Sequence, residues 1–129
     1  MRNVFKQPEL QQQFDQFGYV AVPFLTADEV ATLKNAYFET LTLKGGNITG
    51  EEVKTVAVKE RITYDFTFID KNIDYKRKVF DIITTAFQKH TDQYLADYEP
   101  IIANFIYKPE NDGEVPLHQN WAFVDESKY

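Results

Sequence analysis

Cysteine is missing from this chain, so neither a disulfide nor a thiolate metal site can contribute to its fold or chemistry. Its absence also leaves the redox compartment unassigned. Basic residues are outnumbered, 14 Lys and Arg against 20 Asp and Glu, and they form no extended cluster. Phosphate contacts need concentrated cations, so a nucleic-acid partner is not expected. No apolar run approaches the roughly 18 residues that a membrane-spanning helix requires, and no membrane partner is expected. The opening residues, MRNVFKQPELQQQ, contain no apolar core of a secretory leader, and a cytoplasmic location follows as the expectation. Glycine and proline number only five each, which leaves few places where the chain can turn sharply.

Aromatic residues are abundant instead, with eleven Phe and eight Tyr in 129 residues. They fit pleated, half-buried surfaces and point to a core with β-structure. An aromatic-lined substrate pocket is the sharper alternative. A hydrophobic share of 43% with 26% charged residues describes a soluble globular protein, and the length allows one domain, residues 1–129.

Two helix starts and one helix end are written in local chemistry. Pro8 suits a first helical turn, with Leu10, Phe14 and Phe17 following at helical spacing and Gly18 as a left-handed cap. Thr26 and Glu29 form a capping box ahead of Val30, Leu33, Tyr37 and Leu41. The longest helical pattern begins near Asn72 and carries Val79, Ile83, Phe87, His90 and Tyr94 on one stripe. A histidine on such a stripe is ordinarily packed in the core or set at its surface, so His90 is not read as a metal ligand. Lys76, Arg77 and Lys78 read as a solvated face.

Between these helices lie segments of β character. Residues 19–25 (YVAVPFL) read as a short strand that Pro23 confines to an edge or an end. Residues 62–69 (ITYDFTFI) alternate cleanly between apolar and polar positions. Residues 99–108 (EPIIANFIYK) carry apolar groups on both faces and so predict cover on both sides. Asn104 and Lys108 share one of those faces, and buried polar groups there would need partners. The glycines of residues 45–52 (GGNITGEE) follow no phosphate-binding spacing and mark a plain loop. The expectation is an α+β fold. Helices near 27–43 and 73–97 pack on a mixed or antiparallel sheet built from 19–24, 62–68, 101–108 and 117–124.

The chemistry concentrates at residues 114–129, EVPLHQNWAFVDESKY. In an extended segment His118 and Asn120 point to the same side, where two groups at i and i+2 can grip one metal. Together with residues 104–109 (NFIYKP) and the opening FGYVAVPFLTADEVATLK, this segment resembles the phytanoyl-CoA dioxygenase family of iron(II)/2-oxoglutarate oxygenases. Members of that family commonly read "LPLHQDW.FVDE" here, and Asn120 stands where they have aspartate.

The resemblance implies the first part of a jelly-roll (double-stranded β-helix) domain, cut after the first metal-ligand motif. It implies Fe(II) held by His118 and by position 120, with Lys108 and Gln119 contacting the 2-oxoglutarate cofactor. The family's distal histidine and its 2-oxoglutarate-binding arginine fall beyond residue 129. The implied reaction is hydroxylation of a small-molecule substrate, an acyl thioester or another small metabolite, in a completed enzyme; this chain is expected to be inactive alone. A non-catalytic interaction or ligand-binding domain derived from the family is the alternative. Strands left open by a cut barrel predict a homo-oligomer that meets through residues 101–129.

Overall fold

A computed structural model describes residues 3–46 and 65–107, together with Glu110. Three helices carry most of it: α1 (Pro8–Phe17), α2 (Ala27–Thr40) and α3 (Ile73–Tyr94). A short antiparallel pairing joins β1 (Asp65–Phe66) to β2 (Ile106–Tyr107), with Asp65 opposite Tyr107 and Phe66 opposite Ile106.

Each helix begins for a local reason, and α1 ends for one. Pro8 occupies the first turn of α1, where a missing N–H costs nothing. Gly18 closes that helix at φ 77°, its amide donating to the Phe14 carbonyl at 2.8 Å. At α2 both halves of the capping box form: Glu29 N–H donates to Thr26 Oγ1 at 3.2 Å, and Thr26 N–H donates to Glu29 Oε2 at 2.8 Å. Asn72 caps α3 by accepting the amides of Asp74 and Tyr75 at 3.0 and 3.3 Å.

The core lies along α3. Tyr75, Val79 and Ile83, one turn apart, are buried, and Leu33, Phe87, Ala103 and Phe105 pack against them. Helix α2 thus supplies Leu33 from one side, and the stretch leading into β2 supplies Ala103 and Phe105 from the other. Thr67 fastens that stretch, its amide donating to the Phe105 carbonyl at 3.0 Å and its hydroxyl accepting the Phe105 amide at 3.2 Å.

Four expected elements differ from what is found. Residues 19–24 are extended but enter no ladder among the described residues. They lie on α3 through side chains instead, with Phe24 against the rings of Phe87, His90 and Tyr94 and the Tyr94 hydroxyl donating to the Pro23 carbonyl at 3.0 Å. The expected strand at 62–68 is reduced, among the described residues, to β1. The chain then winds into a tight turn, Thr67–Ile69, because the Thr67 amide and hydroxyl are both committed to Phe105. Among the described residues the expected strand at 101–108 pairs only at Ile106 and Tyr107, and Lys108 lies outside them. Helix α3 stops at Tyr94 rather than at 97. Leu95 is extended, Asp97 is left-handed at φ 54°, and the N-terminal arm binds there through a Phe5–Leu95 bridge and an Ala96 amide donating to the Val4 carbonyl.

Helix α2 ends at Thr40 and continues as a tighter turn, Leu41–Leu43, so the expected helix at 27–43 is present with its last turn overwound. The expected strand at 117–124 lies outside the described residues. Helices on a short antiparallel pairing are therefore what the described residues contain; no broad sheet is seen among them.

Candidate functional site

The residues singled out for metal and cofactor chemistry, His118, Asn120, Gln119 and Lys108, all lie outside the described residues. Among the described residues no group of three His, Asp or Glu side chains is placed to hold a metal ion. What is described is the scaffold that leads into that segment, and three of its features carry chemistry.

The first is a cleft of about 450 Å³ between α2, α3 and the approach to β2. Leu33, Ile83, Phe87, Ile102 and Phe105 make its walls apolar, within the size range of small-molecule sites. Thr84 and Thr91 also line it, but their hydroxyls donate to carbonyls one turn back on α3 and are not free donors. Asn104 stands at the edge with its carboxamide oxygen buried and without a hydrogen-bond partner. The expectation that a polar group on this face would be buried and in need of a partner is met at Asn104. The expected cover on both sides is not: Ile101 is 77% exposed, Ile106 65% and Tyr107 48%.

The second is a pair formed by the buried His90 and the half-buried Glu29. The imidazole Nε2 lies 3.0 Å from Glu29 Oε1, with the His90 side chain 9% exposed and that of Glu29 30%. Phe24 closes one side of the imidazole with ring centroids 5.0 Å apart. The backbone N–H of Thr26, then the hydrogen bond from His90, hold the Glu29 carboxyl well below its ordinary value of 4.5, at about 2. A carboxyl depressed in the folded state stabilises it fully above the unfolded value, and that stability is lost as pH falls through the folded one. Glu29 therefore contributes an acid limb between pH 4.5 and about 2. Urea midpoints measured across that window are expected to fall less steeply with decreasing pH in Glu29→Gln than in the parent; parallel slopes would show that the carboxyl does not carry the limb.

The third is Asp70, which is completely buried. Its Oδ1 accepts the amides of Gly45 at 3.0 Å and Asn72 at 2.7 Å, while Oδ2 has no hydrogen-bond partner among the described residues. Asn72 extends the link by donating Nδ2 to the Leu43 carbonyl at 2.7 Å. Gly45 admits no side chain here, since a Cβ would stand 2.9 Å from both Asn72 Cβ and Asn72 N. The end of α2 and the start of α3 are thus pinned through one carboxylate. Sequence reasoning passed over Asp70. The signal was there in the Asp-Lys-Asn that precedes the helix, since Asp and Asn two apart can each accept amides at a helix start.

The basic triplet read as a solvated face is so in part: Arg77 and Lys78 are exposed, with Arg77 meeting Asp74 on the surface at 3.4 Å, while Lys76 is half-buried. None of the described helices is long and apolar enough to cross a membrane. No protein-family model, no curated protein and no solved structure matches the chain.

Proposed function

We propose that this chain is the N-terminal part of an iron(II)/2-oxoglutarate-dependent oxygenase resembling the phytanoyl-CoA dioxygenase family, cytoplasmic, and without turnover by itself. The observation that carries this reading is the segment VPLHQNWAFVDE, residues 115–126, following closely on β2. The apolar groups left open at Ile101, Ile106 and Tyr107 support it, because the first strands of a larger sheet carry such groups for later strands to cover.

The donor set does not fit ferrous iron unaided. His118 and Asn120 offer one imidazole and one neutral carboxamide where a facial triad has three ligands, one of them anionic. Lys108 and Gln119 are the proposed contacts to 2-oxoglutarate, and the substrate of the completed enzyme is a small molecule, an acyl thioester or another small metabolite. Weak, selective metal binding is what this reading requires. Titrating Fe(II) anaerobically into the whole chain should broaden the ring signals of His118 before those of His90, and His118→Ala should remove the effect. Broadening at His90 first, or none at His118 up to millimolar metal, would defeat the reading.

The apolar cleft between α2 and α3 favours a second reading, a ligand-binding or interaction domain derived from the same family without catalysis. Saturable binding of an apolar dye, lost in Phe87→Trp while His118 stays indifferent to metal, would select it.

The open strand carries a prediction under either reading. Homo-oligomers should form through residues 101–129, of which Ile101, Ile106 and Tyr107 are exposed. Light scattering should give a mass above that of one chain, and Ile106→Lys should return it to the monomer. A monomer across a wide concentration range would refute this.

A further inference from the structure

Glu29 does two things at once. Through Oε2 it accepts the Thr26 amide and closes the start of α2, and through Oε1 it meets the buried imidazole of His90 on α3. The two oxygens belong to one carboxylate, so charge drawn to one is felt at the other. The segment between α1 and α2 is held at the same place. Phe24 sits 5.2, 5.0 and 6.5 Å from the rings of Phe87, His90 and Tyr94, and the Tyr94 hydroxyl donates to the Pro23 carbonyl. Further along, the N-terminal arm grips the end of α3 through Lys6 N–H to the Tyr94 carbonyl at 2.8 Å and Lys6 Nζ to the Asp92 carbonyl at 2.6 Å.

We propose that His90 and Glu29 form a proton-responsive latch that fastens the segment before α2, and the first turn of α2, onto α3.

With the imidazole protonated, the contact is an ion pair shielded by Phe24, and the carboxylate is held where its second oxygen caps α2. With the imidazole neutral, the contact at Oε1 is at most a single hydrogen bond from an uncharged ring, set by the tautomer. The carboxylate then leans on Thr26, whose amide and hydroxyl donate to Oε2 at 2.8 and 3.0 Å, from a partly exposed position. The ionisable groups around the ring among the described residues are few. Glu29 faces it from α2; Tyr94 lies one turn along α3 with its hydroxyl committed to Pro23; Lys89 and Asp92, its sequence neighbours, are exposed. Only Glu29 touches both the ring and the cap. The latch is independent of the iron reading, since it uses neither His118 nor Asn120.

The test follows the ring signals of His90 and the backbone amides of Thr26 and Glu29 by NMR in the full 129-residue chain, from about pH 5 to about pH 8. The Thr26 amide should shift with the same midpoint as the His90 ring. In Glu29→Gln that response should vanish. In His90→Gln, which keeps a side-chain N–H for Glu29 but cannot titrate, the Thr26 and Glu29 amides should stay flat across the range. A Thr26 amide that stays flat while His90 titrates in the parent chain, or that keeps its shift in His90→Gln, would overturn the proposal. Should Glu29→Gln fail to fold, the parent and His90→Gln decide the matter between them.

Discussion

Replacing Asp70 with alanine should destabilise the fold by about 2 kcal/mol, the cost of removing a buried acceptor from two amides that are themselves only partly shielded from water. Those amides belong to Gly45 and Asn72, and both are directed at Oδ1. Gly45 and Asn72 approach so closely that a Cβ on Gly45 would stand 2.9 Å from Asn72, so the two amides converge on one small site. Water would have to enter a site that is completely closed in the parent. Asp70→Asn separates the two oxygens. It keeps the Oδ1 acceptor and exchanges the unpartnered Oδ2 for an NH₂ group, so a loss of only about 1 kcal/mol is expected. Chemical unfolding of the two variants beside the parent measures both. Equal losses in the alanine and asparagine variants would mean that Oδ2 carries the stability and that the amide pin is incidental.

Asp70 also shows where the reading of the sequence stopped. The starts of the helices were legible because each is decided within four residues: Pro8 in a first turn, Thr26 with Glu29, Asn72 with the amides of Asp74 and Tyr75. The stripe on α3 was equally local, and Val79, Ile83, Phe87, His90 and Tyr94 do face inward or pack on one another's neighbours. Partners far apart in the chain were not legible. His90 and Glu29 are 61 residues apart, and Asp70 reaches back 25 residues to Gly45. Strands suffered for the same reason, since a strand exists only when another segment accepts its hydrogen bonds. Residues 19–24 have the composition of a strand but found the side of α3, and Pro23 contributes a carbonyl to Tyr94 instead of a ladder. At 62–69 the alternation is real, yet Thr67 is diverted by its double bond to Phe105 and the chain turns. The candidate metal ligands rest on the sequence, by spacing and by resemblance, and lie outside the described residues. His118 and Asn120 are two residues apart, which is enough to suggest a chelate in an extended segment but not to supply the rest of one.

That shortfall is one of charge as well as number, and it sets the expectation for Asn120→Asp. The substitution should raise the affinity of the chain for Fe(II) by about tenfold or more, because a carboxylate oxygen brings the negative charge that a carboxamide oxygen lacks at the same reach. The two side chains are nearly equal in size, so the comparison isolates charge. Anaerobic calorimetric titration of the Asn and Asp versions provides the measurement, with the ionic strength held constant to keep screening equal. Adding His118→Ala to the Asp version should return binding to a trace, since a lone carboxylate added to a chain whose parent already carries a net charge of −6 binds a divalent cation no better than any surface acid. Turnover of 2-oxoglutarate should stay undetectable in both versions, because two ligands still fall short of the triad. Equal Fe(II) affinity for Asn and Asp would remove position 120 from the metal site and, with it, the chemical basis for reading residues 115–126 as an oxygenase motif. A gain in Asn120→Asp that survives His118→Ala would be as damaging, for it would place the new carboxylate beside ligands other than the histidine two residues before it.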